Sequence, residues 1–287
     1  MEFRTEIDIK KADFEIQPAE QMLFVGSCFA DNLGKRFLEN QFRAVVNPFG
    51  VMYNPASILH TVERCRQEVF GKEIAHTKAF APRVAVFTLG TNHVYILNET
   101  GEIVDNCKKR PQRLFTEREL MVEECVDYLQ KAVDLLKESC ALSSEKAEGQ
   151  NLKVIVTVSP IRYAKYGFHG SQLSKATLQL AADQLVRQNP KVVSYFPAYE
   201  IMNDELRDYR FYKEDMLHPS DQAVEYIWQK FRGTYFSKAA EQFLEDWRPI
   251  KEALGHKPFN PDSETTKQFL AKTEEKKRQF EEKYLKL

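Results

Sequence analysis

The chain has 287 residues, with 41 lysines and arginines against 42 aspartates and glutamates, and 43% of its residues are hydrophobic. The net charge of -1 offers no basic field for nucleic acid or anionic lipid, and the apolar content supports a large folded core. No apolar run reaches membrane-spanning length, and the charged start of the chain lacks the core of a signal peptide.

Residues 1–20 are polar and predicted to form an extended arm across the domain. Short apolar runs predict five strands, at 22–25, 43–46, 84–89, 153–158 and 192–196. Helical periodicity appears between them, at 31–42, at 56–70, from about 116 to 140 and at 174–188. Strands that alternate with helices are typical of an α/β fold with a doubly wound, mostly parallel five-stranded sheet.

Three further local patterns concern the middle of the chain. The runs 94–97 and 102–104 flank a turn and predict a β-hairpin added to the main sheet. Thr116 and Glu119 have the spacing of a capping box, which predicts a helix start there with Met121 on its inward face. The range 141–151 is predicted to be a polar loop.

Charge dominates from Ser237 onward, so we predict a domain at 1–236 and a charged helical extension at 237–287. Residues 263–287 have sparse apolar positions, which favour a solvated helix, with an arm onto a neighbouring subunit as the alternative. The sequence leaves open whether the protein is a monomer or a homodimer.

The first candidate for chemistry is Ser27, which follows Gly26 at the end of the first strand. A hydroxyl between the carboxyl end of a strand and the first turn of a helix lies where open α/β sheets build their sites. The start of the helix also offers unpaired N–H groups that can stabilise an oxyanion. The alternative is that Ser27 is a plain helix cap.

The second candidate is His218, which follows Asp215 by three residues. One helical turn would place both side chains on the same face. A carboxylate on Nδ1 fixes the tautomer of the imidazole and leaves Nε2 to accept a proton from a serine hydroxyl. A surface helix start with an incidental Asp and His is the alternative.

An early Gly-Ser and a late Asp-x-x-His resemble the SGNH hydrolases, and the chain more closely resembles the GSCFA family within that group. The motifs span about residues 20–235: Gly26-Ser27-Cys28-Phe29-Ala30, Asn47-Pro48-Phe49-Gly50, Tyr53-Asn54-Pro55, Leu89-Gly90-Thr91, Val158-Ser159-Pro160-Ile161-Arg162, Ser174-Lys175-Ala176, Tyr199-Glu200-Ile201, Leu206-Arg207-Asp208-Tyr209-Arg210-Phe211-Tyr212 and Asp215-Met216-Leu217-His218-Pro219-Ser220. The resemblance implies a flavodoxin-like three-layer α/β/α sandwich.

The resemblance also implies a set of site residues. It makes Ser27 the nucleophile, His218 the base and Asp215 the acid that orients it. The implied oxyanion donors are the N–H groups of Ser27 and Gly50 together with Asn92, or Thr91 in place of Asn92. Each donor would contribute about 3 kcal/mol to the transition state.

Several polar residues in these motifs are candidates for substrate contacts. They are Tyr53, Asn54, Lys109 and Arg162, with packing or surface roles as the alternative. Lys108 and Tyr163 depart from the family pattern, which has histidine at these places, so selectivity can differ. The charge run at 204–210 predicts an ion-pair network that holds the Asp-x-x-His turn, or an anion contact through Arg207 or Arg210.

Other chemistries fit the sequence less well. Cys28 is expected to point into helix–sheet packing rather than to act as a nucleophile. The glycines near Lys35 lack the spacing of a phosphate loop. No histidine–carboxylate–cysteine cluster has zinc spacing, so neither a metal nor a cofactor is predicted. The five widely spaced cysteines fit reduced thiols in the cytoplasm.

The predicted function is therefore ester hydrolysis through an acyl-enzyme on Ser27. By analogy to relatives of this fold, the substrate class is a small-molecule or carbohydrate ester, above all an O-acetyl ester. No nucleic-acid or membrane partner is expected. Acyl transfer by the same triad and a glycan-binding protein without activity are the alternatives.

Overall fold

A computed structural model describes residues 4–73, 79–107, 109–143, 152–257, 259–260 and 263–285. The strands are β1 (Gln21–Gly26), β2 (Arg43–Val46), β3 (Val84–Leu89), β4 (His93–Leu97), β5 (Ile103–Val104), β6 (Phe115–Glu119), β7 (Lys153–Val158) and β8 (Val193–Tyr195). The helices are α1 (Cys28–Glu39), α2 (Pro55–Glu68), α3 (Val122–Ser143), α4 (Gly167–Gln188), α5 (Ala198–Glu200), α6 (Asp221–Tyr235), α7 (Lys238–Gly255) and α8 (Glu264–Tyr284). Among the helices so described, none has both the length and the hydropathy to cross a membrane.

The central sheet has the strand order β2-β1-β3-β7-β8, and each neighbouring pair is parallel. Alternate residues of β1 point to opposite faces, and both faces are buried. Leu23 and Val25 join a core with α2, α3 and α4, whereas Met22 and Phe24 join a core with α1, α6 and α7. The predicted three-layer α/β/α sandwich with a parallel five-stranded sheet is confirmed.

The predicted hairpin is wrong in its placement. β4 pairs with β5 and β6 in a separate antiparallel sheet, not in the central sheet. The predicted capping box is also wrong, because Thr116 and Glu119 lie in β6, where Thr116 Oγ1 donates to Asn98 Oδ1 at 2.7 Å. Pairing with β4 outweighs the local capping signal. The helix therefore starts only at Val122, and Met121 is 66% exposed rather than inward.

Two predicted features lie partly beyond the described residues. α3 continues to Ser143, so residues 141–143 are helical and the predicted loop at 141–151 starts later than expected. Residues 144–151 and Lys108 lie outside the described residues.

The two last helices pack on the rest of the chain through aromatic side chains. Trp247 of α7 donates its indole N–H to the carbonyl oxygen of Glu39 at 2.9 Å, and the ring of Phe243 lies 4.8 Å from that of Phe280 in α8. Phe280 is 4% exposed, while most of α8 faces solvent. α8 is thus a largely solvated helix that docks on α7 through one apolar stripe. The division of the chain at 236/237 stays a prediction.

Candidate active site

Ser27 lies at the carboxyl end of β1, where Gly26 makes an unusually close backbone contact. Gly26 has φ +139°, and a Cβ atom on it would lie 2.2 Å from the carbonyl oxygen of Thr88. Only glycine fits this position. Ser27 follows as the N-cap of α1: its Oγ accepts from the N–H of Phe29 at 3.2 Å and lies 3.0 Å from Thr88 Oγ1. The side chain is fully buried.

A buried asparagine ties the end of β1 to α1. Asn47 accepts from the N–H of Gly26 at 2.9 Å and donates through Nδ2 to Asp31 Oδ1 at 2.6 Å. Sequence reasoning noted the Asn-Pro-Phe-Gly motif but assigned Asn47 no role, and it missed Thr88. A polar residue inside the apolar strand β3 was the signal for Thr88.

Asp215 and His218 form a hydrogen-bonded pair. Asp215 Oδ2 lies 2.6 Å from His218 Nδ1, and Asp215 Oδ1 accepts from the N–H groups of Leu217 and His218, both at 2.9 Å. The predicted helical turn is wrong, because Met216 has φ 57° and the segment is a side-chain-closed turn. The two backbone N–H groups, and then the imidazole, lower the pKa of Asp215 to about 2.

Arg162 fastens this turn to the carboxyl end of β7. Its N–H donates to the carbonyl oxygen of Leu217 at 3.0 Å, and its Nη1 donates to that of Met216 at 3.1 Å. The side chain of His218 is 39% exposed. The backbone of the turn that carries the imidazole is therefore held by hydrogen bonds, and the ring is accessible. A general base needs both properties.

The next residue, Tyr163, contacts Tyr53, which lies near the start of α1. Its ring lies edge-on to that of Tyr53 at 6.1 Å, and Tyr53 Oη lies 3.9 Å from Sγ of Cys28, the neighbour of Ser27. A Cβ atom on Gly90 would lie 2.7 Å from Tyr163 Oη, so Tyr163 also packs against the end of β3. Burial, and then the Cys28 thiol, raises the pKa of Tyr53 to about 12.

One loop therefore contacts both the turn that carries His218 and Tyr53, the neighbour of Cys28. Residues 162 and 163 have Cα atoms about 3.8 Å apart, one contacting the His218 turn and the other the Ser27 side. The hydrogen bonds of the Ser27 hydroxyl nevertheless go to Thr88 and Phe29, and none joins it to His218 in the described part of the chain. Proton transfer from Ser27 to His218 requires that the Ser27 proton is not donated to Thr88 Oγ1.

The predicted oxyanion donors already have acceptors within the protein. Ser27 N donates to Thr88 O at 3.0 Å, Gly50 N to Asn47 O at 2.9 Å, Thr91 N to Tyr53 O at 2.8 Å, Asn92 N to Ser174 Oγ at 3.0 Å and Asn92 Nδ2 to Leu120 O at 2.8 Å. At the first position of α1, by contrast, the N–H of Cys28 has no hydrogen-bond partner among the described residues. Sequence reasoning did not single out this donor.

The four residues predicted to contact the substrate differ in their surroundings. Arg162 and Tyr53 lie beside the site, as described above. Asn54 is 6% exposed and caps α2, with Oδ1 accepting from the N–H of Ser57 at 2.9 Å, so its side-chain oxygen has a structural partner. Lys109 is exposed, with φ 57°. Cys28 is only partly buried beside Tyr53, so its expected place in helix–sheet packing is wrong.

The charge run at 204–210 forms only part of the predicted network. Arg210 Nε lies 4.0 Å from Asp208 Oδ2, and Glu205 is paired with Lys230 of α6 at 3.0 Å. Arg207 is exposed and has no ion-pair partner among the described residues. Glu205 therefore anchors this segment to α6, while the guanidinium of Arg207 can accept an anion from outside the described chain.

Lys175 is a buried cation behind the site whose role the sequence did not reveal. Its Nζ donates to the carbonyl oxygens of Gly90 at 2.7 Å and Ser159 at 2.8 Å. These carbonyls follow β3 and β7, so one side chain joins the ends of both strands. Burial lowers the pKa of Lys175 to about 7. The apolar helical face of α4 gave no signal for this contact.

A parallel three-layer sandwich with a serine after β1 and an Asp-x-x-His turn before α6 has the features of the SGNH-like class. The model described as "GSCFA family" matches residues 21–79 and 69–231, and "GSCFA domain protein, C-terminal domain" matches 247–287. The chain belongs to the GSCFA family. No functionally curated protein matches it.

The chain also has a low similarity to solved structures of esterases. An acetylxylan esterase from Geobacillus stearothermophilus is 13% identical with a TM-score of 0.47, over 78% of this chain and 98% of that one. A carbohydrate acetylesterase family member from Sinorhizobium meliloti is 10% identical with a TM-score of 0.44, over 79% of this chain and 99% of that one.

Proposed function

We propose that the protein is a serine esterase with Ser27 as nucleophile, His218 as general base and Asp215 as its orienting carboxylate. The observation that carries the proposal is the Asp215–His218 pair at 2.6 Å, on a turn that Arg162 fastens beside the loop contacting the Ser27 side. A paired, partly exposed imidazole near a buried serine is the arrangement that nucleophilic catalysis needs.

The reaction begins when the Ser27 side chain rotates from Thr88 to another staggered rotamer that faces His218. Oγ attacks the ester carbonyl carbon as its proton passes to His218 Nε2, and a tetrahedral oxyanion forms. The C–O bond to the alcohol then breaks, and the leaving oxygen takes the proton from His218. Water, deprotonated by His218, attacks the acyl-enzyme, and the acid is released as Ser27 regains its proton.

Stabilisation of the oxyanion falls first to the N–H of Cys28, at the positive end of α1. The N–H groups of Ser27 and Gly50 and the donors of Thr91 and Asn92 remain proposed donors, and each must exchange its present acceptor to take part. Asp215 stabilises the imidazolium throughout, because its low pKa keeps it ionised at neutral pH.

We further propose O-acyl esters of carbohydrates, O-acetyl esters in particular, as the substrate class, by analogy to relatives of this fold. The proposed triad acts on the ester group and not on the sugar, so the first experiment uses simple esters. It measures hydrolysis of 4-nitrophenyl acetate and butyrate by the wild type beside Ser27→Ala, and the acetate/butyrate ratio reports the size of the acyl pocket.

A fluorophosphonate probe tests the nucleophile without any choice of ester. A mass increase on the Ser27 peptide of the wild type, reduced in His218→Ala, supports the proposal. If wild type and Ser27→Ala show only the same background hydrolysis, and Ser27 carries no label, the protein binds its ligand without turning it over.

A further inference from the structure

A cavity of about 240 Å³ lies next to the His218 turn. Its walls include Arg162, Gln172, Asn203, Arg207, Tyr209 and Tyr212. The volume lies below the roughly 300–1,000 Å³ of sites for drug-sized ligands, so it suits one ring-sized unit of a larger molecule. Arg162 both lines the cavity and bonds to Leu217 and Met216, so it connects the cavity to the turn that carries His218.

The cavity has an excess of positive charge. Arg162 and Arg207 face it, and the opposing carboxylate in its wall is that of Asp208. Asp208 is partly engaged elsewhere, since Oδ1 accepts from the N–H of Arg210 at 2.9 Å. Two planar guanidinium groups with donors to spare suit a carboxylate, which each can bind in a bidentate manner.

Arg207 also has an unusual backbone. It has φ 46° and ends a π-helical segment, Ile201–Leu206. Left-handed non-glycine residues and π-helical turns are uncommon and concentrate at ligand sites. Arg207 lines the cavity and has no ion pair within the residues that the structure describes, so its guanidinium lies there without a protein anion.

The rings of Tyr209 and Tyr212 line the same cavity, and Tyr209 is 68% exposed. The guanidinium of Arg162 lies 5.3 Å from the ring centroid of Tyr212 and 4.2 Å from that of Phe168, which lies outside the cavity lining. Stacking keeps Arg162 in place. The exposed ring of Tyr209 offers an apolar face for the C–H surface of a sugar, with a polar tip for its hydroxyls.

We propose that this cavity is a subsite for a sugar unit that carries a carboxylate, as a uronic acid does. It binds the alcohol side of the ester, next to the acyl group attacked by Ser27. The assignment rests on the proposed esterase function for its position in the reaction. Binding of the acidic sugar is a separate property and can be measured without turnover.

The test is isothermal titration calorimetry on the full-length Ser27→Ala protein. The ligands are a glucuronate-bearing oligosaccharide, the neutral oligosaccharide of equal length and inorganic phosphate. We expect the acidic oligosaccharide to bind more tightly than the neutral one. Arg207→Gln should weaken the acidic ligand about tenfold or more and leave the neutral one unchanged, while Arg207→Lys should retain part of the affinity. Tyr209→Ala should weaken both oligosaccharides.

Arg113→Gln is the matched control, because Arg113 is an exposed arginine that does not line the cavity and has no ion-pair partner among the described residues. It should bind like the parent protein, and thermal melting checks that every variant is folded. Equal affinity for acidic and neutral ligands, equal losses in the Arg207 and Arg113 variants, or phosphate binding tighter than glucuronate would each overturn the subsite. Absence of 4-nitrophenyl ester hydrolysis by the wild type overturns the esterase proposal alone.

Discussion

The hydroxyl oxygens of Ser27 and Thr88 lie 3.0 Å apart, at the adjoining carboxyl ends of β1 and β3. This bond holds Ser27 in a resting rotamer, and the backbone bond from Ser27 N to Thr88 O fixes the same contact. In the proposed reaction Ser27 exchanges Thr88 for His218. Thr88 therefore sets the geometry of the Ser27 hydroxyl, the proposed nucleophile, before the reaction.

Replacing Ser27 should abolish turnover and also weaken the fold slightly. Ser27→Ala should lower esterase activity by at least about a thousandfold. It also removes the cap of α1, which costs about 1 kcal/mol of unfolding free energy. Ser237→Ala is the control, because Ser237 also caps a helix, α7, with its Oγ accepting from the N–H of Ala240, and it lies outside the proposed site. It should lose similar stability and keep its activity; equal activity losses would refute the assignment of Ser27.

The two oxygens of Asp215 have separable roles. In Asp215→Asn, Oδ1 can still close the turn through Leu217 N and His218 N, but the amide presents a donor to His218 Nδ1 and favours the wrong tautomer. We expect kcat to fall by about 10²–10⁴-fold without unfolding. NMR of the His218 ring nitrogens reports the tautomer. An active variant with an unchanged ring spectrum would exclude the orienting role.

The pH dependence of the Asp215–His218 pair follows from the low pKa of Asp215. Its folded pKa of about 2 lies below its ordinary 3.8, so its contribution to stability is present above pH 3.8 and is lost as pH falls through about 2. Hydrolysis lost between about pH 7 and pH 4 should therefore occur with Asp215 still ionised. Carboxylate signals in infrared difference spectra check this, and titration of Asp215 in that range would contradict it.

Gly26 should be the least replaceable residue of the Gly-Ser motif. A Cβ atom would meet the Thr88 carbonyl at 2.2 Å, and φ +139° strains any other residue. Gly26→Ala should cost about 3 kcal/mol or more in chemical denaturation. Gly233→Ala, inside α6 with open space around it, should gain up to about 1 kcal/mol. Similar results for both would show that the close contact does not constrain the fold.

Lys175 should make stability depend on pH. Between its folded pKa of about 7 and its ordinary 10.5, the unfolded chain binds more protons, so wild-type stability rises with pH in that window. Lys175→Met lacks this dependence and leaves the carbonyls of Gly90 and Ser159 without their donor, at about 1–3 kcal/mol each. Its stability deficit, from urea unfolding, should grow from about pH 6.5 to 9. A constant deficit would mean that Lys175 does not titrate there.

Much of the framework could be predicted from local pattern. The strands at 43–46, 84–89 and 153–158 have the bounds that the apolar runs predict, because a strand buried on both faces leaves a continuous apolar signal. Ser27 and the Asp215–His218 pair were found from residue type and spacing alone. Their roles in catalysis stay predictions.

Patterns of local sequence failed where a partner far along the chain decides the structure. Thr116 and Glu119 have the spacing of a capping box, yet pairing with β4 places both in a strand. The separation of three positions from Asp215 to His218 fits one helical turn as well as a side-chain-closed turn. The bonds from Asp215 Oδ1 and the anchorage of the turn by Arg162 select the second.

By itself, then, the sequence determined the strands of the central sheet, the three-layer class and the candidates Ser27, Asp215 and His218, because these depend on near neighbours and on residue type. Only the tertiary structure decided the partners: Thr88 for Ser27, 61 residues away, and Gly90 for Lys175, 85 residues away. No periodicity encodes such pairs. They follow from which strand ends adjoin in the sheet and which polar atoms packing leaves to be satisfied there.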